Sequence, residues 1–250
     1  FLMANKNTPP LFDFPYTYNY LLSYIFISYL CQISNRNMKT RKIRTALYNV
    51  LPGEKAHALM APRPKYIEGI EGVHPCPPVN SAILALIVPF ENELALPLIK
   101  RVNRGKYHGG QIAFPGGKME KEDADALQTA LRECHEEIGV PEEKVSILGV
   151  LSDIYIPLSN FNITPIVGTT LQLPDFILSQ DEVEKVILVK LRDLFDDRNK
   201  TTHSFVRHDH KIIAPGYKIG ENFIWGATAM IIAELEQLMK TNTFNHLGKL

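Results

Sequence analysis

The stretch "GGKMEKEDADALQTALRECHEEIGV", residues 116–140, decides how this chain is read. It opens on a glycine pair and then takes helical period. Ala126, Leu127, Ala130, Leu131, Cys134 and Ile138 fall on one apolar stripe, which predicts a helix over 124–138. Gly139 stands where a glycine stops a helix, and Pro141 lies just beyond it. Glu133, Glu136 and Glu137 are spaced i, i+3, i+4, so they are expected together on the side away from the stripe. Like charges at this spacing cost roughly 0.2–0.5 kcal/mol per pair on an exposed helix. They also sit near the helix end whose dipole disfavours negative charge. A hard cation such as Mg²⁺ or Mn²⁺ reverses that balance, because it takes carboxylate oxygens and completes its shell with water and phosphate. The competing reading is a solvated acidic face.

Just upstream lies "KRVNRGKYHGGQIAFPGG", residues 100–117. It is rich in glycine and basic residues, and reads as a shaped loop around a short strand, "QIAF". Lys100, Arg101, Arg104 and Lys106 form the dense basic cluster of the central chain. Such a cluster is what a phosphorylated ligand needs, and it also suits a solvated loop. His108 either donates to a phosphate or fixes the loop. Before it, "SAILALIVPF" (81–90) is apolar throughout, as a buried strand is, and "LALPLIKR" (94–101) reads as its hairpin partner across "ENE". After the helix, 144–157, 161–173, 183–191 and 202–225 read as strands and turns, with a turn of helix at "RDLFDD" and a terminal helix at 226–240. Strands on both sides of one helix, with a second helix at the end, predict an α/β (α+β) fold with a mixed sheet covered on both faces.

The chain has 250 residues, with 27 basic and 27 acidic side chains. Zero net charge gives no global attraction to nucleic acid or to an anionic membrane, so an anionic ligand must be met locally. Cys31, Cys76 and Cys134 are far apart, which argues against a disulfide framework or a zinc site and fits a reducing, cytoplasmic setting. The opening is different in kind. Its apolar run from Leu21 to Ile33 has 13 residues, against roughly 20 needed to cross a bilayer. Residues 1–37 are expected to be an extension outside the fold, with Met38 as the natural start; a targeting or anchor segment and an ordinary packed helix are the alternatives. Residues 38–78 read as a basic amphipathic helix followed by a proline-rich lead-in extended along the surface.

The quoted residues resemble the Nudix box, G-x5-E-x7-R-E-U-x-E-E-x-G-U with U aliphatic. The R-E-x-x-E-E-x-G part matches at all its fixed positions, a coincidence on the order of 1 in 10,000 by composition. Two departures stand out: one extra residue between Gly117 and Arg132, and no early Glu, with Asp123, Ala124 and Asp125 near its place. The longer spacing and the upstream H-x-G-Q-(aliphatic)-A-F-P-G-G signature resemble the coenzyme A diphosphatase branch. "LPGEKAHALMAP" and "FIWGATA" also resemble segments of that branch, so the likeness covers roughly residues 50 to 235.

The resemblance implies a Nudix-type α/β/α sandwich with a catalytic loop-helix-loop over residues 79–240, followed by a tail at 241–250. It implies Mg²⁺ or Mn²⁺ held by Glu133, Glu136, Glu137 and the Gly116 carbonyl. Arg132, Glu133 and Glu136 carry catalysis, with Glu133 as first choice of base and Glu182 as the later candidate. Lys100, Arg101, Arg104, His108, Gln111 and Gly117 would meet substrate. Tyr217 reads first as a packed tyrosine and second as a ring to stack on adenine; Trp225 reads as packing. The implied reaction splits the diphosphate of coenzyme A or its derivatives into a phosphopantetheine moiety and adenosine 3′,5′-bisphosphate. ADP-ribose or a nucleotide sugar is the alternative substrate, and a non-catalytic binding module the alternative class. No nucleic acid or membrane partner is implied, and the oligomeric state, a homodimer included, stays open.

Overall fold

The computed structural model describes residues 39–63, 76–103, 110–207 and 210–244. The expectations for residues 1–37 and Met38, for Arg104, Lys106 and His108, for 64–75 of the lead-in and for the tail beyond 244 lie outside the described residues.

Residues 39–47 form α1, which buries Ile43, Ala46 and Leu47. A single turn, α2 (Glu54–His57), follows within the proline-rich lead-in. The apolar run becomes β1 (Val79–Phe90), which turns into β2 (Glu93–Arg101). Glu91 and Asn92 both take positive φ, 45° and 65°, as a mirror-image two-residue hairpin turn requires. The loop that follows holds β3 (Ile112–Ala113) and β4 (Gly116–Lys118). Then come α3 (Ala126–Ile138), β5 (Ser146–Val150), β6 (Ile154–Ile156), β7 (Phe161–Thr169), β8 (Val183–Lys190) and α4 (Leu191–Leu194). A separate three-stranded sheet, β9 (Lys200–Arg207), β10 (His210–Ile219) and β11 (Asn222–Trp225), leads into α5 (Ala227–Phe244).

Among the described residues, eight strands join one mixed sheet. β1 runs parallel to β7 over its whole N-terminal part, and antiparallel to β2 only at Val88–Phe90. Because β2 leaves early, the same edge of β1 is free at Ser81–Ile83, and β4 pairs there. That exchange of partners brings the glycine pair onto the sheet beside α3.

The apolar run of β1 serves two cores at once. Ala82, Leu84, Leu86 and Val88 pack toward α3 with Ala130, Cys134 and Ile138. Ala85 and Ile87 pack the other way, with α1, α5, β10 and β11. A strand buried on both faces needs no polar alternation, which is why the run reads as uniformly apolar. Helices on both faces make the layers α/β/α, as expected.

The lead-in departs from the expected extended surface path. Ala56, His57 and Met60 are buried. His57 Nε2 lies 2.8 Å from Glu234 Oε2 on α5, and Glu234 also accepts from the Gly53 N–H at 3.0 Å and the Ser152 hydroxyl at 2.6 Å. A buried carboxylate needs such partners, and they pull the lead-in against α5.

Candidate active site

The carboxylate helix is set at both ends. Asp125 caps α3 by accepting from the Gln128 N–H, and the Gln128 side chain accepts from the Ala124 N–H in return. Gly139 ends it at φ 71°. Beyond it, the Ile177 and Ser179 N–H groups donate to the carbonyls of Ile138 and Glu137, which helix geometry leaves open. That same loop carries exposed Glu182 to the foot of α3, close enough for its charge to act on Glu133 and Glu137.

The three glutamates do not share one face. The Glu136 side chain is 55% exposed, Glu133 is 14% exposed and Glu137 only 1%. The reason is angular. Each residue advances about 100°, so Glu137 falls at the border of the stripe made by Cys134 and Ile138, while Glu136 falls outside it. Glu137 therefore points inward, at the glycine pair.

Arg132 binds the outer carboxylates. Its Nη1 donates to Glu133 Oε1 and Glu136 Oε2, both at 3.0 Å. Its Nε and Nη2 meet the two oxygens of Asp123 at 3.0 and 2.9 Å, and Nη2 also reaches the Lys118 carbonyl at 3.2 Å. Asp123 is itself buried and takes the Glu120 N–H and the Thr129 hydroxyl. Hydrogen bonds from Arg132 hold its carboxyl well below the usual range, against the opposing effect of burial. Asp123 thus anchors Arg132, a role the sequence reading did not give it beyond its place near the missing early Glu. Its buried place nine residues before Arg132 is set by the turn at 120–123, which spacing alone does not show.

Gly116 and Gly117 bring backbone against carboxylate. A Cβ on Gly117 would stand 2.4 Å from Glu133 Oε1, and one on Gly116 would stand 2.4 Å from the Ala82 carbonyl oxygen. The Gly116 N–H donates to Glu137 Oε2 at 2.8 Å. Arg101 Nη2 lies 2.8 Å from the Gly116 oxygen and 3.3 Å from Glu137 Oε1. Burial nevertheless pushes the Glu137 carboxyl up to about 7, with Arg101 and the Gly116 N–H pulling it down and Glu133 and Glu182 adding repulsion. Burial also raises Glu133, against the pull of Arg132.

A cavity of about 510 Å³ adjoins this cluster, within the size range of small-molecule sites. Arg101, Gln111, Gly116, Gly117 and exposed Lys118 form its polar wall. Phe161, Phe205, Trp225, Met230 and Ile231 form its apolar wall, with Phe205 and Trp225 packed edge to face at 4.9 Å. Lys100 is not on the cavity; its ammonium pairs with Glu184 at 2.7 Å. Tyr217 is fully buried, so it packs and cannot stack on a base. Trp225, expected to be packing, stands half-buried in the cavity wall. Lys118, Phe205 and Trp225 were not named as site residues; the one signal for Lys118 is its place directly after the glycine pair.

The donor set here is hard oxygen: the Glu133 and Glu137 carboxylates, the Gly116 carbonyl and, nearby, Glu182 and Glu136. That chemistry fits Mg²⁺ or Mn²⁺. Among the described residues no three acidic, His or Cys side chains converge into a complete cage. An ion here would combine Glu137 and Glu133 with the Gly116 carbonyl, water and ligand oxygens, which is the habit of Mg²⁺. No helix among the described residues is long and apolar enough to cross a membrane.

A family model described as NUDIX domain matches residues 80–208. The chain is 34% identical over 161 residues to the "Uncharacterized Nudix hydrolase NudL" of Enterobacter sp. (strain 638), covering 63% of this chain and 82% of that protein. It is 35% identical over 158 residues to the protein of the same name from Pectobacterium atrosepticum, covering 62% and 80%. Among solved structures, a NUDIX hydrolase from Nitrosomonas europaea aligns with TM-score 0.44 at 20% identity, covering 70% of this chain and 76% of that one.

Proposed function

This chain belongs to the NUDIX domain family, and on that premise we propose that it hydrolyses the diphosphate of coenzyme A or its derivatives with Mg²⁺ or Mn²⁺. One observation carries the reading. Gly116, Gly117 and Arg101 touch the Glu137 and Glu133 carboxylates on one side and line the 510 Å³ cavity on the other. A diphosphate lying on that wall meets the acidic face with one end and leaves its organic part against Phe161, Phe205 and Trp225. The coenzyme A assignment rests on the H-x-G-Q signature and the longer box, and residues Gln111 to Gly117 of that signature run along the cavity. Three scattered cysteines without a C-x-x-C support a reducing, cytoplasmic setting for the reaction.

Glu133 and Glu137, with the Gly116 carbonyl, would hold the metal, whose chemistry is to acidify a water and neutralise charge on phosphate oxygens. The protein's own part is placement and proton transfer. Arg132 holds Glu133 by Oε1, and Oε2, which accepts no hydrogen bond among the described residues, takes the proton of the attacking water. The water oxygen bonds to phosphorus as the bridging P–O bond breaks. Burial raises the Glu133 carboxyl toward the working range of a base. Glu182 is the second candidate, brought near by the loop that caps α3. Arg101 and Lys118 face the phosphates.

The test is incubation with coenzyme A, with and without Mg²⁺ or Mn²⁺, read by liquid chromatography and mass. Metal-dependent 4′-phosphopantetheine and adenosine 3′,5′-bisphosphate are expected, and their loss in Glu137→Gln and Glu133→Gln. Cleavage of ADP-ribose or a nucleotide sugar in place of coenzyme A would keep the chemistry and remove the substrate. No turnover of any of these would leave a binding module.

A further inference from the structure

We propose that Arg101 is a resident counter-ion of the acidic face, which a divalent metal displaces and which then serves the substrate phosphates. This rests on the proposed function and adds an order to it, metal before substrate. A single nitrogen, Nη2, reaches both the Gly116 oxygen at 2.8 Å and Glu137 Oε1 at 3.3 Å. Those are two of the oxygens a metal would use. An arginine nitrogen and a divalent ion cannot both lie within about 3 Å of the same pair, because their charges repel strongly at that range. One of them has to go, and the arginine has somewhere to go. Its side chain is a third exposed and already borders the cavity.

The neighbouring contacts are built for a side-chain swing with a fixed backbone. The Arg101 N–H donates to the Gln111 carbonyl and the Val102 N–H to the Glu182 carbonyl, so the strand end stays put. Glu137 keeps its other oxygen on the Gly116 N–H at 2.8 Å, so its carboxylate need not move when the cation changes. Arg132 offers the contrast. It spends its donors on Asp123, Glu133, Glu136 and the Lys118 carbonyl, with Asp123 gripping it by both oxygens. Arg132 is locked and Arg101 is exchangeable. A guanidinium released beside a newly seated metal is placed for a bidentate hold on phosphate oxygens.

The experiment is calorimetric titration of chelator-stripped protein with Mn²⁺, wild type against Arg101→Met. The variant is expected to bind Mn²⁺ about tenfold more tightly, since no resident cation has to leave. Once loaded with Mn²⁺, it is expected to bind imidodiphosphate about tenfold more weakly than loaded wild type. An arginine that merely braces the loop would scatter the ligands when removed and weaken Mn²⁺ binding. Equal or weaker Mn²⁺ affinity in the variant therefore overturns the inference. Should Arg101→Met fail to fold by circular dichroism, Arg101→Gln replaces it with the same expectations. The functional reading fails separately: its sign is wild-type Mn²⁺ binding that Glu137→Gln leaves unchanged.

Discussion

Two adjacent glycines face the same site with opposite consequences for mutation. A Cβ at Gly117 would run into the Glu133 carboxylate, 2.4 Å from Oε1, and that group is the far end of a side chain. It can move aside at small cost in stability, but it then leaves the position Arg132 gives it. A Cβ at Gly116 would meet main chain instead, the Ala82 oxygen at 2.4 Å and the Ile83 Cα at 2.6 Å, where β4 pairs with β1. Backbone in a sheet cannot step aside. Gly117→Ala is thus expected to melt close to wild type while losing about a hundredfold in kcat, the scale of a 1 Å misplacement. Gly116→Ala is expected to lose roughly 3 kcal/mol of stability, as overpacking against fixed atoms does. Thermal melts and steady-state kinetics on the pair check this. A Gly117→Ala enzyme with full activity would take Glu133 out of the chemistry.

At the level of elements, an acidic group outside the carboxylate cluster ties the fold together. Glu234 on α5 ties α2, through His57 and Gly53, to Ser152 in the link between β5 and β6. Burial acts to raise its carboxyl, but hydrogen bonds from His57 and Ser152, the His57 charge and the Gly53 N–H outweigh it, so the net shift is downward from 4.5. A carboxyl depressed in the folded state stabilises above its unfolded value and loses that contribution as pH falls through the folded one. Glu234→Gln is expected to cost roughly 3 kcal/mol near neutral pH, with the gap to wild type closing as pH falls below 4.5. Melts across that range decide it, and a gap independent of pH would mean the loss is packing alone. None of this pairing is legible in the sequence, because its partners lie 82 to 181 residues apart. What was legible was local and periodic. The stripe and glycine stop of α3, the hairpin across Glu91–Asn92 and the apolar run of β1 each carry their own signal over a few residues. Asp123 and the inward turn of Glu137 do not, since one depends on a tertiary turn and the other on which edge of the stripe packs against β4.

Across the whole molecule, β1 divides the work. One face carries α3 and its carboxylates, and the strand's pairing with β4 puts Gly116 and Gly117 at the seam. The other side carries α5 and the three-stranded sheet, whose Phe205 and Trp225 close the cavity. Sequence motifs mark the first side densely and the second hardly at all, because an apolar wall assembled from β7, β9, β11 and α5 has no fixed spacing along the chain. The architecture makes binding of the organic part of a substrate separable from metal binding. Trp225→Ala removes the larger ring of the edge-to-face pair while leaving β4, α3 and Arg101 untouched. It is expected to raise KM for the diphosphate substrate about tenfold, some 1.4 kcal/mol, with kcat within a few-fold of wild type. The Mn²⁺ titration of the same variant is expected to overlay that of wild type. A fall in Mn²⁺ affinity, or a loss confined to kcat, would place Trp225 in service of the carboxylate face and end this division of labour along β1.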